Sequence, residues 1–313
     1  MFKRLQILFL ILVPLVFLVI GFKFDRTKYG TDPESAYLFN GLNIAMGKPV
    51  GHFDHPGTTV QIYSAVVIGV THLLRFTNTN LQTDVLTNSE LYIEVLRMSF
   101  IVFNSLLIFL VGFLAFSSLK NIWLTISLQL TPFLSTTLIE HLATKISPEQ
   151  LLFSSTILLT ILILKHYSSL NKENKWFALL FGLLAGFGMA TKFTFLPLLV
   201  IPFIVLKGNR NKVVYLGTII PSFILFTLPA AHDYKVMFKW LLSIASHTGI
   251  YGQGSNGIID AKEYVQSISK ICMANKPMLF ALLASLYLLI ILFVKSRRKI
   301  EHVKTPETAY ILA

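Results

Sequence analysis

Uncharged, mostly apolar runs recur along the chain at Leu5–Phe22, Ile101–Leu119, Ile122–Ile139, Gln150–Leu164, Trp176–Thr191, Phe193–Leu206, Val213–Ala231 and Pro277–Val294. A membrane span needs about 20 predominantly apolar residues, so the pattern predicts an all-α polytopic membrane protein with about eight transmembrane helices. A ninth run, Thr58–Leu74, is also uncharged. It carries Gln61, Ser64, Thr71 and His72 between polar flanks and is expected to be re-entrant or interfacial. Ser35–Met46 is expected to form a short surface helix in the same long first loop. No internal repeat of fixed period is visible.

Composition agrees with the pattern. The 313 residues are 54% hydrophobic and only 13% charged, with a mean hydropathy of +0.67; soluble domains carry about 25% charged residues. The one cysteine, Cys272, excludes an internal disulfide scaffold. The net charge of +12 would suggest nucleic acid on a soluble protein. Here it sorts by side. With the N-terminus cytoplasmic and Thr58–Leu74 not crossing, 14 of 27 basic residues but only three of 15 acidic ones fall on the cytoplasmic side. That asymmetry is the positive-inside signature. It predicts a multi-pass protein of a bacterial inner (plasma) membrane, with no nucleic-acid partner. The first run, preceded by Lys3 and Arg4 and followed by Gly-Phe-Lys-Phe, lacks a small-residue cleavage site and is expected to be an uncleaved anchor.

The expected organisation is a transmembrane domain over residues 1–295, with extracytoplasmic loops at 23–91 and 230–276. Residues 296–313 would be a cytoplasmic tail or the start of a further span. The loops hold the candidate chemistry. In the first, Asp32 and Glu34 flank Pro33, a turn-forming arrangement just outside the first span. They can act as catalytic carboxylates or cap the following helix. His52, Asp54 and His55 form a loose metal-ligand pattern. In the second, Glu140 and Lys145 precede Ser147-Pro148-Glu149, which can serve as N-cap, first-turn proline and first-turn acid of the next span. Glu149 also places a carboxylate at a membrane boundary, where charge is costly. Lys192, between two apolar runs, is either a snorkelling lysine or a cation at headgroup depth, placed to neutralise a phosphate. In the last loop, four glycines fall within His247–Gly257, excluding regular helix or strand. It is either a plain connector or a flexible loop able to close over a substrate with His247 and Tyr251.

The order of these pieces over residues 1–295 resembles the GT-C superfamily of membrane glycosyltransferases, in the branch of protein O-mannosyltransferases and lipid A aminoarabinose transferases. The resemblance rests on Asp32 and Glu34 after the first span, the helical first loop, Lys145 and Glu149 opening a later span, and the Gly182-Leu-Leu-Ala-Gly-Phe-Gly-Met-Ala-Thr-Lys-Phe-Thr segment. It implies transfer of a sugar from a polyprenyl-phosphate carrier to a lipid, glycan or protein acceptor on the outer face, with inversion. Asp32 would be the general base, with Glu34 and Glu149 orienting substrate or holding a divalent metal where one is used. Lys192 or Lys145 would stabilise the departing phosphate, and Glu140, His55, His247 and Tyr251 would contact substrates. In the superfamily the acidic pair is often adjacent; here Pro33 intervenes, which leaves the base open between Asp32 and Glu34. A transporter or lipid flippase, or a non-catalytic subunit of an envelope assembly, are the alternatives. The near absence of charge within the apolar runs weighs against a transport path.

Overall fold

The computed structural model describes residues 2–23, 34–52, 56–169, 174–246, 248 and 261–303. Among these the chain is helical, and the single strand-like pairing is an isolated bridge between Pro56 and Lys192. The helices are α1 (Phe2–Lys23), α2 (Glu34–Ala45), α3 (Thr58–Arg75), α4 (Leu81–Thr87), α5 (Ser89–Leu119), α6 (Ile122–Gln129) and α7 (Thr136–Thr144). They continue as α8 (Pro148–Ser168), α9 (Lys175–Thr191), α10 (Val200–Val205), α11 (Asn209–Thr227), α12 (Tyr234–Ala245), α13 (Ala261–Ala274) and α14 (Lys276–Val303). Two compact units result, one of Met1–Thr131 with Thr137–Ile258, the other of Pro132–Thr136 with Ile259–Ala313.

An α-helical polytopic membrane protein fits this architecture, but eight spans do not. Among the described residues, α5, α8 and the stretch Asn209–Ala245 are long and apolar enough to cross, and the α13–α14 pair makes a fourth if counted as one bent span. Leu8–Lys23, Lys175–Thr191 and Phe193–Val205 are apolar but shorter. The clearest loss is the expected span Ile122–Ile139. Pro132 lacks an N–H and disfavours helix at the residue before it, and the run breaks into α6, a 3₁₀ turn at Thr131–Leu134 and α7. Pro197 lies inside the 3₁₀ segment Phe193–Leu199, which divides another expected span from α10.

Packing of the first unit depends on polar side chains that complete broken backbone ladders. Pro14 inside α1 removes the N–H that would bond the carbonyl of Leu10. Gln129 Nε2 supplies the missing donor, reaching the Leu10 carbonyl at 3.1 Å and that of Ile108 at 3.0 Å. Gly112 makes room for it, since a Cβ there would lie 2.2 Å from Gln129 Nε2. Gln150 in α8 donates to the C-terminal carbonyls around α7, Leu142 at 2.8 Å and Lys145 at 2.9 Å, and accepts from Asn104 Nδ2 at 2.9 Å. Such groups have no water to turn to in hydrocarbon, so each bond satisfies an otherwise orphaned atom.

Helices α9 and α11 pack through small residues. A Cβ on Gly182 would meet Thr218 at 2.5 Å, and one on Gly186 would meet Ser222 at 2.4 Å, while Phe187 stacks edge-on against Phe226. Matching residues ascend together, so the two helices run parallel and approach closely at a Gly-x-x-x-Gly face. The helix predicted at Ser35–Met46 exists as α2, with Ser35, Phe39 and Ala45 exposed and its other face packed. Tyr37, Leu38, Asn40, Gly41 and Leu42 are buried, and Gly41 rests against Ser64 and Ala65 of α3. Helix α3 buries Thr58, Thr59, Gln61 and Ser64 and leaves Val66, Val70, Leu73 and Leu74 exposed. Its polar face is therefore the packed one.

Candidate active site

One end of the first unit gathers the termini of several helices. Arg97, 3% exposed near the start of α5, draws them together. Its Nη1 donates to the Gly21 carbonyl at the end of α1 and to the Ala143 carbonyl near the end of α7, both at 2.9 Å. Its Nη2 meets Glu94 Oε1 at 2.6 Å. A guanidinium suits this task because its planar fork serves several acceptors at once. The same end holds the start of α2. Glu34 Oε1 accepts the N–H of Ile146 at 2.9 Å, fastening the start of α2 to the α7–α8 connection.

Three residues further along lies Glu149, in the first turn of α8. The expected Ser147-Pro148-Glu149 start is present, with Ser147 at the N-cap and Pro148 opening the helix. Glu149 Oε1 lies 2.5 Å from Lys192 Nζ, the residue that caps α9. Their side chains are 25% and 22% exposed, so the pair is partly desolvated yet open to a ligand. Each charge also suits its helix end, acid at the N-terminus of α8 and base at the C-terminus of α9. Lys192 is further fixed by its bridge to Pro56, and Thr191 Oγ1 meets Thr59 Oγ1 at 2.8 Å. Thr58 Oγ1 donates to the Phe226 carbonyl at 2.8 Å, which brings in the end of α11. Gln61 Nε2 donates to the His52 carbonyl, and the His52 ring packs edge-on against Tyr37 at 5.4 Å.

An apolar cavity of about 240 Å³ lies between α3, α5, α8 and α9, walled by Thr59, Tyr63, Phe103, Leu151, Phe187 and Phe226. Neither Glu149 nor Lys192 lines it. It is linked to the pair through Thr59, which bonds Thr191 next to Lys192, and through Leu151, two residues along α8 from Glu149.

Of the residues singled out in the sequence, Glu149 and Lys192 are brought into contact, and Glu34 bonds the connection three residues before Glu149. Glu149 takes Lys192 as its ion-pair partner, although Lys145 is nearer in sequence; Lys145 lies in the α7–α8 connection, half-buried. Glu140 is half-buried in α7. Asp32, Asp54, His55, His247 and Tyr251 lie outside the described residues, and of the suggested metal ligands only His52 is described. No cluster of three or more His, Cys, Asp or Glu suited to a metal occurs among the described residues.

A second polar cluster joins α3, α4 and α5. Asp84 is 2% exposed and accepts from Tyr92 Oη at 2.6 Å, Arg75 Nε at 3.1 Å and Asn88 Nδ2 at 3.0 Å, with His72 Nδ1 at 3.0 Å. Burial pushes its carboxyl up, but the bonds from Tyr92, His72 and Arg75 outweigh this and hold it at about 2.

Sequence reasoning passes over Arg97, Thr59, Thr191 and the Asp84 cluster. A signal exists for Arg97: Glu94 and Arg97 stand three apart in a chain that turns apolar at once, which marks a charged pair on one helix face. Comparison with protein-family models, with curated proteins and with solved structures finds no match for this chain.

Proposed function

We propose that this protein is a glycosyltransferase of the outer face of a bacterial inner membrane, moving a sugar from a polyprenyl-phosphate donor to an acceptor hydroxyl with inversion. The observation that carries the reading is the partly exposed Glu149–Lys192 pair, linked through Thr191–Thr59 and through α8 to the wall of an apolar cavity of about 240 Å³. A lysine at that position is suited to a phosphate, and the cavity is suited to a short branched hydrocarbon segment of the same donor. Lysine would relinquish part of its contact with Glu149 as negative charge builds on the departing phosphate, an electrostatic contribution to the transition state.

In the proposed reaction a carboxylate removes the proton from the acceptor hydroxyl. The freed oxygen attacks the anomeric carbon, and the bond from that carbon to the phosphate oxygen breaks, releasing polyprenyl phosphate. The resemblance assigns the base to Asp32. Glu34, whose Oε1 is engaged with Ile146 N–H, then anchors the start of α2 to the α7–α8 connection. Orientation follows the charge distribution: α5 and α8 begin at the Arg97 and Glu149 end. The basic groups Lys120, Lys165, Lys175 and Lys207 belong to the opposite end, the cytoplasmic one under the positive-inside rule.

The test is sugar transfer by the purified full chain from a polyprenyl-phosphate donor. Asp32→Asn is expected to lower turnover by roughly 10²–10⁴-fold, the usual range for a general base. Full activity in both Asp32→Asn and Glu34→Gln would overturn the base assignment, and no transfer by the native chain with any polyprenyl-phosphate sugar would overturn the reading.

A further inference from the structure

Helix α13 stands apart from the others in its wheel. None of its residues is buried. Yet Tyr264, Val265, Ile268, Ile271 and Cys272 fall within an arc of roughly 120° at 3.6 residues per turn. Lys262, Glu263, Gln266, Ser267, Ser269 and Lys270 occupy most of the remaining circumference, with Met273 the one large apolar residue among them. Tyr264 is 62% exposed and Val265 66%. A soluble helix of this kind would bury that arc in a core.

The sharp corner at the end of α13 indicates which surroundings the arc meets. Helices Ala261–Ala274 and Lys276–Leu288 join at 103°. The corner is specified locally: Pro277 cannot continue a straight helix, because its ring would strike the carbonyl four residues back. Asn275, 7% exposed, stabilises the turn. Its Nδ2 donates to the Ile271 carbonyl at 3.0 Å, and its Oδ1 accepts from Ser135 Oγ at 2.8 Å. Beyond the corner, Pro277–Val294 is an uncharged run of bilayer-crossing character. A helix perpendicular to a spanning one lies in the membrane plane. There an apolar arc meets acyl chains, and Lys262, Lys270 and Lys276 reach the phosphates of the headgroups.

We infer that α13 is an in-plane membrane-binding helix, its Tyr264–Val265–Ile268–Ile271–Cys272 face set into the boundary between headgroups and acyl chains. The occupant of this surface is the phospholipid bilayer. The inference is independent of the proposed reaction: it needs only that α14 crosses.

Cys272 is the sole cysteine and lies on the apolar arc, so the native full chain carries its own probe. In vesicles of phosphatidylethanolamine and phosphatidylglycerol, a label on Cys272 is expected to be quenched by lipids spin-labelled near the headgroup, at a depth of about 5–10 Å. A Gln266→Cys, Cys272→Ser variant carries its thiol on the opposite face. It is expected to react with a charged maleimide roughly tenfold faster than native Cys272, as one wet and one lipid-facing side of an amphipathic helix require. Equal reactivity at the two positions would overturn the inference. So would shielding of Cys272 from both lipid quencher and water, which would mean a protein partner covers the arc. Quenching deepest at mid-bilayer for both positions would mean instead that α13 and α14 form a broken span, and would overturn it as well.

Discussion

Two carboxylates in the first unit sit beside cations, and they differ in how completely they are satisfied. Asp84 is enclosed, with Tyr92, His72, Arg75 and Asn88 all directed at it and 2% of its surface exposed. Glu149 meets Lys192 at 2.5 Å with about a quarter of each side chain exposed. The first arrangement has no capacity left for a ligand and fastens α3, α4 and α5 to one another. The second leaves part of each charge accessible. A saturated buried acid is a structural tie, whereas a partly open ion pair at a helix junction has the means to exchange its partner for a substrate anion.

That contrast can be broken by substitution. The largest effect is expected at Lys192→Met, which should reduce sugar transfer by roughly 10²–10³-fold through loss of charge stabilisation while the unfolding midpoint in detergent stays close to native. A variant that loses stability and keeps turnover would make the pair another structural tie. Asp84→Ala should behave in the opposite way. Removing one member of a buried hydrogen-bonded cluster should destabilise by about 3 kcal/mol, read as a lowered thermal midpoint, with turnover of the folded fraction unchanged.

Acid should also separate the two. The Asp84 carboxyl is held at about 2, below its ordinary 3.8. Its contribution to stability is therefore complete above the unfolded value and lost as pH falls from about 4 toward about 2. Asp84→Asn should flatten the dependence of the unfolding midpoint on pH within that window, and an unchanged slope would show that other groups govern acid unfolding. A smaller, remote effect is expected from Gly112→Ala. The new methyl must displace Gln129 from the Leu10 and Ile108 carbonyls, at a cost of about 1–3 kcal/mol, measurable as a lower midpoint with the pH slope intact.

The helical class is legible in the apolar runs, as is the Ser147-Pro148-Glu149 helix start. Span number is not. Hydropathy sums over Pro132 and Pro197 without registering that each interrupts helix, so Ile122–Ile139 and Phe193–Leu206 read as continuous. The packed face of α2 is hidden too, because Gly41 looks polar-neutral in a sequence and only its contact with Ser64 and Ala65 shows a close helix crossing. The choice of Lys192 as Glu149's partner is tertiary information: 43 residues separate the two, and Lys145 competes in the sequence. Arg97 reads as a loop residue because the apolar run opens only at Ile101, although α5 begins at Ser89.

The gap at Pro14 has a consequence for how the chain is made. Before Gln129 is synthesised, the Leu10 carbonyl of α1 has no helical donor, and an unmet buried polar group costs about 1–3 kcal/mol. Gln129, the donor that relieves it, is synthesised more than a hundred residues later, after α5 has brought Gly112 into position. Early in synthesis α1 is thus a tenant on provisional terms, its Leu10 carbonyl left without a protein donor until α6 arrives. Nascent chains arrested before Gln129 should leave α1 more readily cut by protease than those arrested after it.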